Sequence, residues 1–161
     1  MTLTLDTEHP TDNQIIRPLV VVGVDGSEAS SQAVAWAATY ITRVGGTLEL
    51  VTAWHWPPSY GFPLAAIDFD IEGAARDLVE KAATQVSLPP ERIVTSVVEG
   101  QPAQRLVDAS KRSDVLVVGS RGHGGFSGLL LGSVSAHCVH HAHCPVIVIR
   151  PAEVDREAQT E

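Results

Sequence analysis

Short apolar runs alternate with helix-forming segments along this chain of 161 residues. The first run, residues 19–24, is rich in β-branched side chains and apolar on both faces, as a buried parallel strand requires. Ser27 can N-cap the helix that follows, and Gly45-Gly46 should end it. Further strands are predicted at 48–54, 92–98, 115–118 and 146–149, and further helices at 67–86, 103–110 and 132–143. This strict βαβα order predicts a doubly wound α/β fold, Rossmann-like, with five parallel strands and helices on both faces of the sheet.

The two ends of the chain differ from its middle. Residues 1–16 are polar, contain Pro10 and show neither a helical nor a strand period. Each end carries a net charge of −3, which leaves −2 of the total −8 for residues 17–150. We therefore expect a disordered acidic leader at 1–16, one domain at 17–150 and a disordered acidic tail at 151–161.

Charge and hydropathy exclude several classes of protein. The acidic balance argues against a nucleic-acid partner, which needs clustered lysine and arginine. The sequence has no 18-residue apolar stretch and no basic, hydrophobic start typical of a signal peptide, so no membrane partner is expected. Two cysteines do not form a disulfide framework. We expect a soluble, cytoplasmic protein.

A glycine-rich loop follows the predicted strand 115–118 and contains six glycines between residues 119 and 132. Glycines let main-chain N–H groups approach an anion, and serine hydroxyls at the start of the next helix add donors, so this segment predicts a phosphate site. Gly122 and Gly132 are expected to meet phosphate closely and to adopt positive φ. The loop lacks the lysine of a Walker motif, and a dinucleotide fingerprint would follow the first strand instead. A long flexible loop is the alternative interpretation.

The loop also has a distinctive spacing of Gly, two residues, Gly, nine residues and Gly-Ser, met at Gly119, Gly122, Gly132 and Ser133. This spacing resembles the ATP-binding motif of the universal stress protein family. The resemblance extends to the segments 20–27 and 141–149, and so covers about residues 17–150.

The resemblance implies ATP as the ligand, Mg²⁺ as its companion, and the adenine-nucleotide α-hydrolase-like form of the fold. It places main-chain groups beside ribose and phosphates at Gly119, Ser120, Arg121, Gly122 and Gly125. It places amides and hydroxyls beside the β- and γ-phosphates at Gly132, Ser133, Val134 and Ser135. It also implies that Asp25 contacts adenine, ribose or a metal, with Gly23 and Ala53 beside the base. Two of these contacts have an alternative. Asp25 could serve only to cap the first helix, and Arg121, like His123, could be a surface side chain that does not contact the ligand.

Residues 137–144 contain four histidines and two cysteines. His137 and His141 are four residues apart on one helical face, a spacing that zinc can use. The same helix must place Val134, Cys138 and His141 against the sheet, and buried thiols behave as small apolar groups. We therefore expect no metal site here.

No catalytic residues are predicted. The sequence shows no recognisable nucleophile arrangement, and without a lysine on the phosphates or a marked general base, fast ATP hydrolysis is not expected. The predicted function is an ATP-binding, nucleotide-dependent regulatory module of the stress response, and the resemblance implies a homodimer through the last strand, 146–149. The alternatives are a slow ATPase or nucleotide-hydrolysing enzyme on the same fold, and a flavodoxin-like redox module. The proline- and aromatic-rich segment 55–63 predicts a loop that either serves a ligand or covers the sheet edge.

Overall fold

Five strands and four α-helices alternate along the chain in a computed structural model that describes residues 17–56, 70–122 and 130–151. The strands are β1 (Leu19–Gly23), β2 (Thr47–Trp54), β3 (Ile93–Glu99), β4 (Val115–Gly119) and β5 (Val146–Ile149). The helices are α1 (Glu28–Val44), α2 (Ile71–Thr84), α3 (Pro102–Ser110) and α4 (Ser133–His141). Among the described helices, none is long and apolar enough to cross a membrane.

The strands form one parallel sheet in the order β3-β2-β1-β4-β5. The chain moves outward from β1 in one direction to β2 and β3, and in the other to β4 and β5, so the order reverses between β1 and β4. Flavodoxins have the order 2-1-3-4-5. The doubly wound parallel fold is therefore confirmed, and the flavodoxin-like alternative is wrong.

Helices cover both faces of this sheet. Val20 and Val22 of β1 belong to an apolar cluster with α1 and α2, whereas Val21 belongs to a second cluster with α3 and α4. All three side chains are fully buried. Because successive side chains of a strand point to opposite faces, a strand covered on both sides must be apolar throughout, as β1 is.

The ends of α1 follow the predicted caps. The Oγ of Ser27 accepts a hydrogen bond from the N–H of Ser30 at 3.2 Å, and Gly45 ends the helix with φ of 83°. Helix α2 is shorter than the predicted 67–86: it runs from Ile71 to Thr84, and Asp70 caps it by accepting the N–H of Gly73 at 2.7 Å. Residues 57–69 lie outside the described part of the chain.

Helix α4 is also shorter than the predicted 132–143. Gly132 is its N-cap, and Ala142 leaves helical geometry with ψ of 150°. Pro145 precedes β5 and disfavours helical geometry at Cys144, the residue before it, so the helix has to end before Cys144. Cys138 is fully buried as expected, but His141 is exposed, so its predicted place against the sheet was wrong.

An ion pair joins the buried Glu49 of β2 to the half-exposed Arg112, which follows α3. Glu49 is only 4% exposed, and its carboxylate accepts hydrogen bonds from both terminal nitrogens of Arg112, with Nη2 to Oε1 at 2.7 Å. Ser96 on β3 donates its hydroxyl to the same Oε1 at 2.6 Å. Burial alone raises the pKa of Glu49, but the hydrogen bonds from Arg112 and Ser96 outweigh it, and the pKa lies below its ordinary value. The carboxylate is thus held ionised inside the fold.

The predicted leader 1–16 lies outside the described residues, as does the predicted tail except for Pro151. The expected disorder of both ends therefore stays a prediction.

Candidate functional site

A cavity of about 590 Å³ opens at the carboxyl ends of β1, β2 and β4. This position is the one that open parallel sheets offer to ligands, where the strand order reverses. Ten of the twelve residues predicted for the site line the cavity: Gly23, Asp25, Ala53, Gly119, Arg121, Gly122, Gly132, Ser133, Val134 and Ser135. Segments that are far apart in the sequence therefore share one wall.

Ser120 and Gly125 are the other two predicted residues. Ser120 is 1% exposed and does not line the cavity. Its N–H donates to the carbonyl oxygen of Ile149, and its own carbonyl oxygen accepts from the N–H of Gly132, both at 2.7 Å. Ser120 therefore connects the start of the glycine-rich loop to its end at Gly132 and to the end of β5, without facing the cavity. Gly125 falls in residues 123–129, outside the described part of the chain, and so does His123.

Asp25 lies at the turn between β1 and α1 and faces the glycine-rich loop. Its Oδ1 accepts the N–H of Ser27 at 2.9 Å, and its own N–H donates to the Oγ of Ser30 at 3.2 Å. A Cβ built on Gly122 would lie 2.3 Å from Asp25 Oδ2. Asp25 therefore shapes the start of α1 and lines the cavity at the same time, while Ser27 is the N-cap itself.

Close packing explains two of the glycines. A Cβ on Gly119 would lie 2.8 Å from the main-chain carbon of Ala29, and one on Gly23 would lie 2.8 Å from a methyl group of Leu106. Gly132 has φ of −73°, and Gly122 is not among the described glycines with positive φ. The expectation of positive φ at Gly122 and Gly132 was therefore wrong. These glycines contribute to the site because they lack a side chain that would fill part of the cavity.

A second part of the cavity lining is mostly apolar and was not predicted. It comes from the ends of β2, α2 and α3, and consists of Val51, Thr52, Trp54, His55, Ile71, Ala74, Ala75, Leu78, Pro102 and Leu106. The cavity therefore has a polar end, at the glycine-rich loop and the start of α4, and an apolar end. The local sequence spacing in α2 and α3 does not indicate a binding role. The strand order of the sheet is what brings these helices to the cavity.

The histidine- and cysteine-containing segment of α4 lies away from this cavity. The rings of His137 and His141 have centroids 4.4 Å apart. Among the described residues, no group of three or more His, Cys, Asp or Glu side chains is arranged to hold a metal ion. Burial raises the pKa of the Cys138 thiol to about 11, so this side chain acts as a small apolar group of the core.

The sequence model of the universal stress protein family matches residues 19–150. The chain belongs to the universal stress protein family. It is 39% identical over 134 residues to the universal stress protein Rv2005c of Mycobacterium tuberculosis, a match that covers 81% of this chain and 45% of the relative. The chain thus spans about half the length of the curated relatives that it matches.

Solved universal stress proteins share the fold. The universal stress protein UspA from Lactobacillus plantarum is 27% identical, with a TM-score of 0.64 over 83% of this chain and 97% of the other. A second universal stress protein, crystallised in complex with cAMP, is 28% identical, with a TM-score of 0.59 over 82% of this chain and 96% of the other. The predicted family and fold class are therefore confirmed.

Proposed function

We propose that this universal stress protein binds ATP in the cavity at the switch point and acts as a nucleotide-dependent regulatory module of the stress response, without fast catalysis. The observation that carries the proposal is the assembly of ten predicted residues around one cavity with a polar and an apolar end. An adenine nucleotide has the same division, with a flat apolar base and a charged phosphate chain. The 28% identical relative crystallised with cAMP supports a ligand of this class.

The polar end suits phosphates. Gly122, Gly132 and Ser133 bring main-chain groups to the cavity without bulky side chains, and Ser133 and Ser135 open α4, whose N-terminal N–H groups favour an anion. Arg121 adds a positive charge on the same wall. We assign the phosphate chain to this end.

The apolar end suits the base. Val51 and Ala53 line this end from β2, Leu78 lines it from α2, and Leu106 lines it from α3. Small and aliphatic side chains leave room for a flat ring and remove its faces from water. We assign adenine to this end, with Gly23 beside it.

Mg²⁺ fits the site as a companion of the nucleotide. Asp25 supplies a carboxylate to the cavity wall, and Mg²⁺ prefers oxygen ligands, commonly one or two carboxylates together with substrate phosphates. The described residues hold no cluster of three metal-ligating side chains, so the ion would arrive with the phosphates. Asp25 would then hold it at the polar end, where Mg²⁺ would neutralise phosphate charge.

The site offers little for hydrolysis. Among the described lining residues no lysine is present, and Asp25 Oδ1 already accepts the N–H of Ser27. A protein that lowers the barrier to phosphoryl transfer needs charge placed on the transferred phosphate and a group that orients water. We therefore propose binding rather than turnover, and a slow ATPase remains the alternative that a turnover assay tests.

Strand β5 supports the proposed homodimer. It is an edge strand that pairs only with β4 in the described sheet. Pairing with a second copy would satisfy its outer main-chain groups.

The proposal is tested by calorimetric titration with ATP, GTP and adenosine, with and without Mg²⁺, beside an assay for released phosphate. We expect ATP to bind more tightly than GTP and adenosine, and turnover to stay at background. Absence of ATP binding would contradict the proposal, and turnover well above background would favour the slow ATPase.

A further inference from the structure

The hydroxyl group of Ser27 joins helix α1 to the glycine-rich loop. Its oxygen accepts the N–H of Ser30 at 3.2 Å, as the N-cap of α1, and its hydrogen is donated to the main-chain oxygen of Arg121, 3.3 Å away. Ser27 and Arg121 are 94 positions apart in the sequence. One hydroxyl therefore ties the turn after β1 to the loop after β4.

This bond fixes the direction of a neighbouring N–H group. The carbonyl of Arg121 and the N–H of Gly122 belong to one peptide unit, and the described residues contain no cis peptide bond. In a planar trans peptide the C=O and N–H bonds point in opposite directions. A donor that holds the Arg121 carbonyl therefore also fixes where the Gly122 N–H points.

The peptide between Arg121 and Gly122 needs such a support. A flip of a peptide unit changes φ of its second residue, and glycine accepts the new φ values more readily than any other residue. The glycine that keeps a side chain away from Asp25 Oδ2 thus also makes the flip easy. A flip of this peptide unit would break the hydrogen bond from Ser27 to the Arg121 carbonyl oxygen, so this bond stabilises the observed orientation.

The other end of the loop is held independently of Ser27. The N–H of Gly132 and the Oγ of Ser135 both donate to the carbonyl oxygen of Ser120, at 2.7 and 2.9 Å. Loss of the Ser27 hydroxyl would leave these bonds in place. Its effect should therefore be confined to the first peptides of the loop.

We infer that Ser27 is a positioning residue for the phosphate chain of the ligand: its hydroxyl orients the Gly122 N–H without itself needing to touch the nucleotide. This inference rests on the proposed function, since it assigns the Gly122 N–H to a phosphate. It predicts that Ser27 affects ligands with phosphates and spares the same ligand without them.

Three variants separate positioning from helix capping. Ser27→Gly removes the hydroxyl, yet glycine is nearly as good an N-cap as serine. Ser27→Thr keeps a hydroxyl that can both accept and donate. Ser31→Ala is the matched control, because the Ser31 hydroxyl lies in the same turn and donates to the Ser27 carbonyl oxygen at 3.1 Å, away from the loop.

Calorimetry with ATP and with adenosine gives the readout. We expect Ser27→Gly to raise the Kd for ATP about fivefold, the usual effect of one lost hydrogen bond, with the Kd for adenosine unchanged. Ser27→Thr and Ser31→Ala should stay close to the wild-type protein with both ligands. Unchanged ATP affinity in Ser27→Gly, or equal losses for ATP and adenosine, would overturn the inference while leaving the proposed function intact. A wild-type protein that binds no ATP would overturn both.

Discussion

Asp25 and Gly122 meet across the switch point of the sheet, so closely that a Cβ on Gly122 would lie 2.3 Å from Asp25 Oδ2. Asp25 follows β1 and Gly122 follows β4, two strands that are adjacent in the sheet. The contact depends on the absence of a side chain at residue 122. Binding and stability should therefore respond differently to substitutions at this position.

Gly122→Ala should weaken ATP binding at least tenfold with little loss of stability. The added methyl group meets the end of the exposed Asp25 side chain, which can move away, but the carboxylate then leaves its place in the cavity wall. Calorimetry and thermal unfolding of the same preparation measure the two effects. Gly122→Val should abolish binding with the far-UV spectrum intact, and unchanged ATP affinity in both variants would contradict the assignment of the loop.

Gly119→Ala should destabilise the fold instead. Its Cβ would lie 2.8 Å from the main-chain carbon of Ala29 and 2.9 Å from the nitrogen of Ser30. These atoms belong to α1 and cannot rotate away as the end of a side chain can, so the helix must shift. Such overpacking costs about 1–3 kcal/mol. Urea unfolding measures this loss beside Gly122→Ala, and equal stability of the two variants would show that α1 adjusts freely.

Much of the fold is visible in the sequence because local patterns determine it. The β-branched run at 19–24, the Ser27 cap and the Gly45 stop predict β1 and α1 to within a residue or two. The start of α2 was missed because Asp70, its actual cap, was not recognised. The glycine-rich loop likewise indicates one wall of the site by its composition alone.

Other features arise only when distant segments pack together. The apolar wall with Leu78 and Leu106 exists because α2 and α3 meet the ends of the same strands. The sequence around Glu49 indicates only a strand and does not reveal an ion pair, because its partner Arg112 is 63 positions away. The tie between Ser27 and Arg121 is equally non-local. Neither pairing follows from local spacing, because each depends on the three-dimensional positions of the two segments.

Removing Arg112 should make stability depend on pH in a new way. The pKa of Glu49 lies below 4.5 in the folded protein, so the ionised pair stabilises the fold above about pH 4.5, and this contribution is lost as the pH falls through the lowered pKa. Arg112→Ala leaves a buried carboxylate without its main partner. We expect a loss of about 2 kcal/mol at pH 7, since Arg112 is itself half exposed.

The difference in unfolding free energy between Arg112→Ala and the wild-type protein should shrink as the pH falls through the lowered pKa of Glu49, because protonation of Glu49 removes the charge that Arg112 pairs with. Urea unfolding at several pH values measures it. The matched control is Arg76→Ala, which breaks an exposed pair with Glu72 and should cost at most about 0.5 kcal/mol. A pH-independent difference for Arg112→Ala would contradict the ionised pair.

The two cysteines should differ in reactivity. Cys138 is fully buried, and its pKa of about 11 leaves almost no thiolate at pH 8, whereas thiol reagents attack the thiolate. Cys144 is partly exposed. Reaction with a chromogenic disulfide at pH 8 should therefore modify Cys144 in the native protein and Cys138 only after unfolding. In Cys144→Ser, a fast-reacting thiol in the folded state would contradict the burial of Cys138.

Occupancy of the cavity at the switch point by an adenine nucleotide is tested by mass spectrometry of nucleotide released from freshly purified, untagged protein. Gly122→Val, prepared in parallel, controls for nucleotide carried over nonspecifically. We expect ATP in the wild-type preparation, near one per chain, and little in the variant. A wild-type protein that releases no adenine nucleotide and cannot be loaded with millimolar ATP and Mg²⁺, or a variant that retains as much as the wild type, would contradict it.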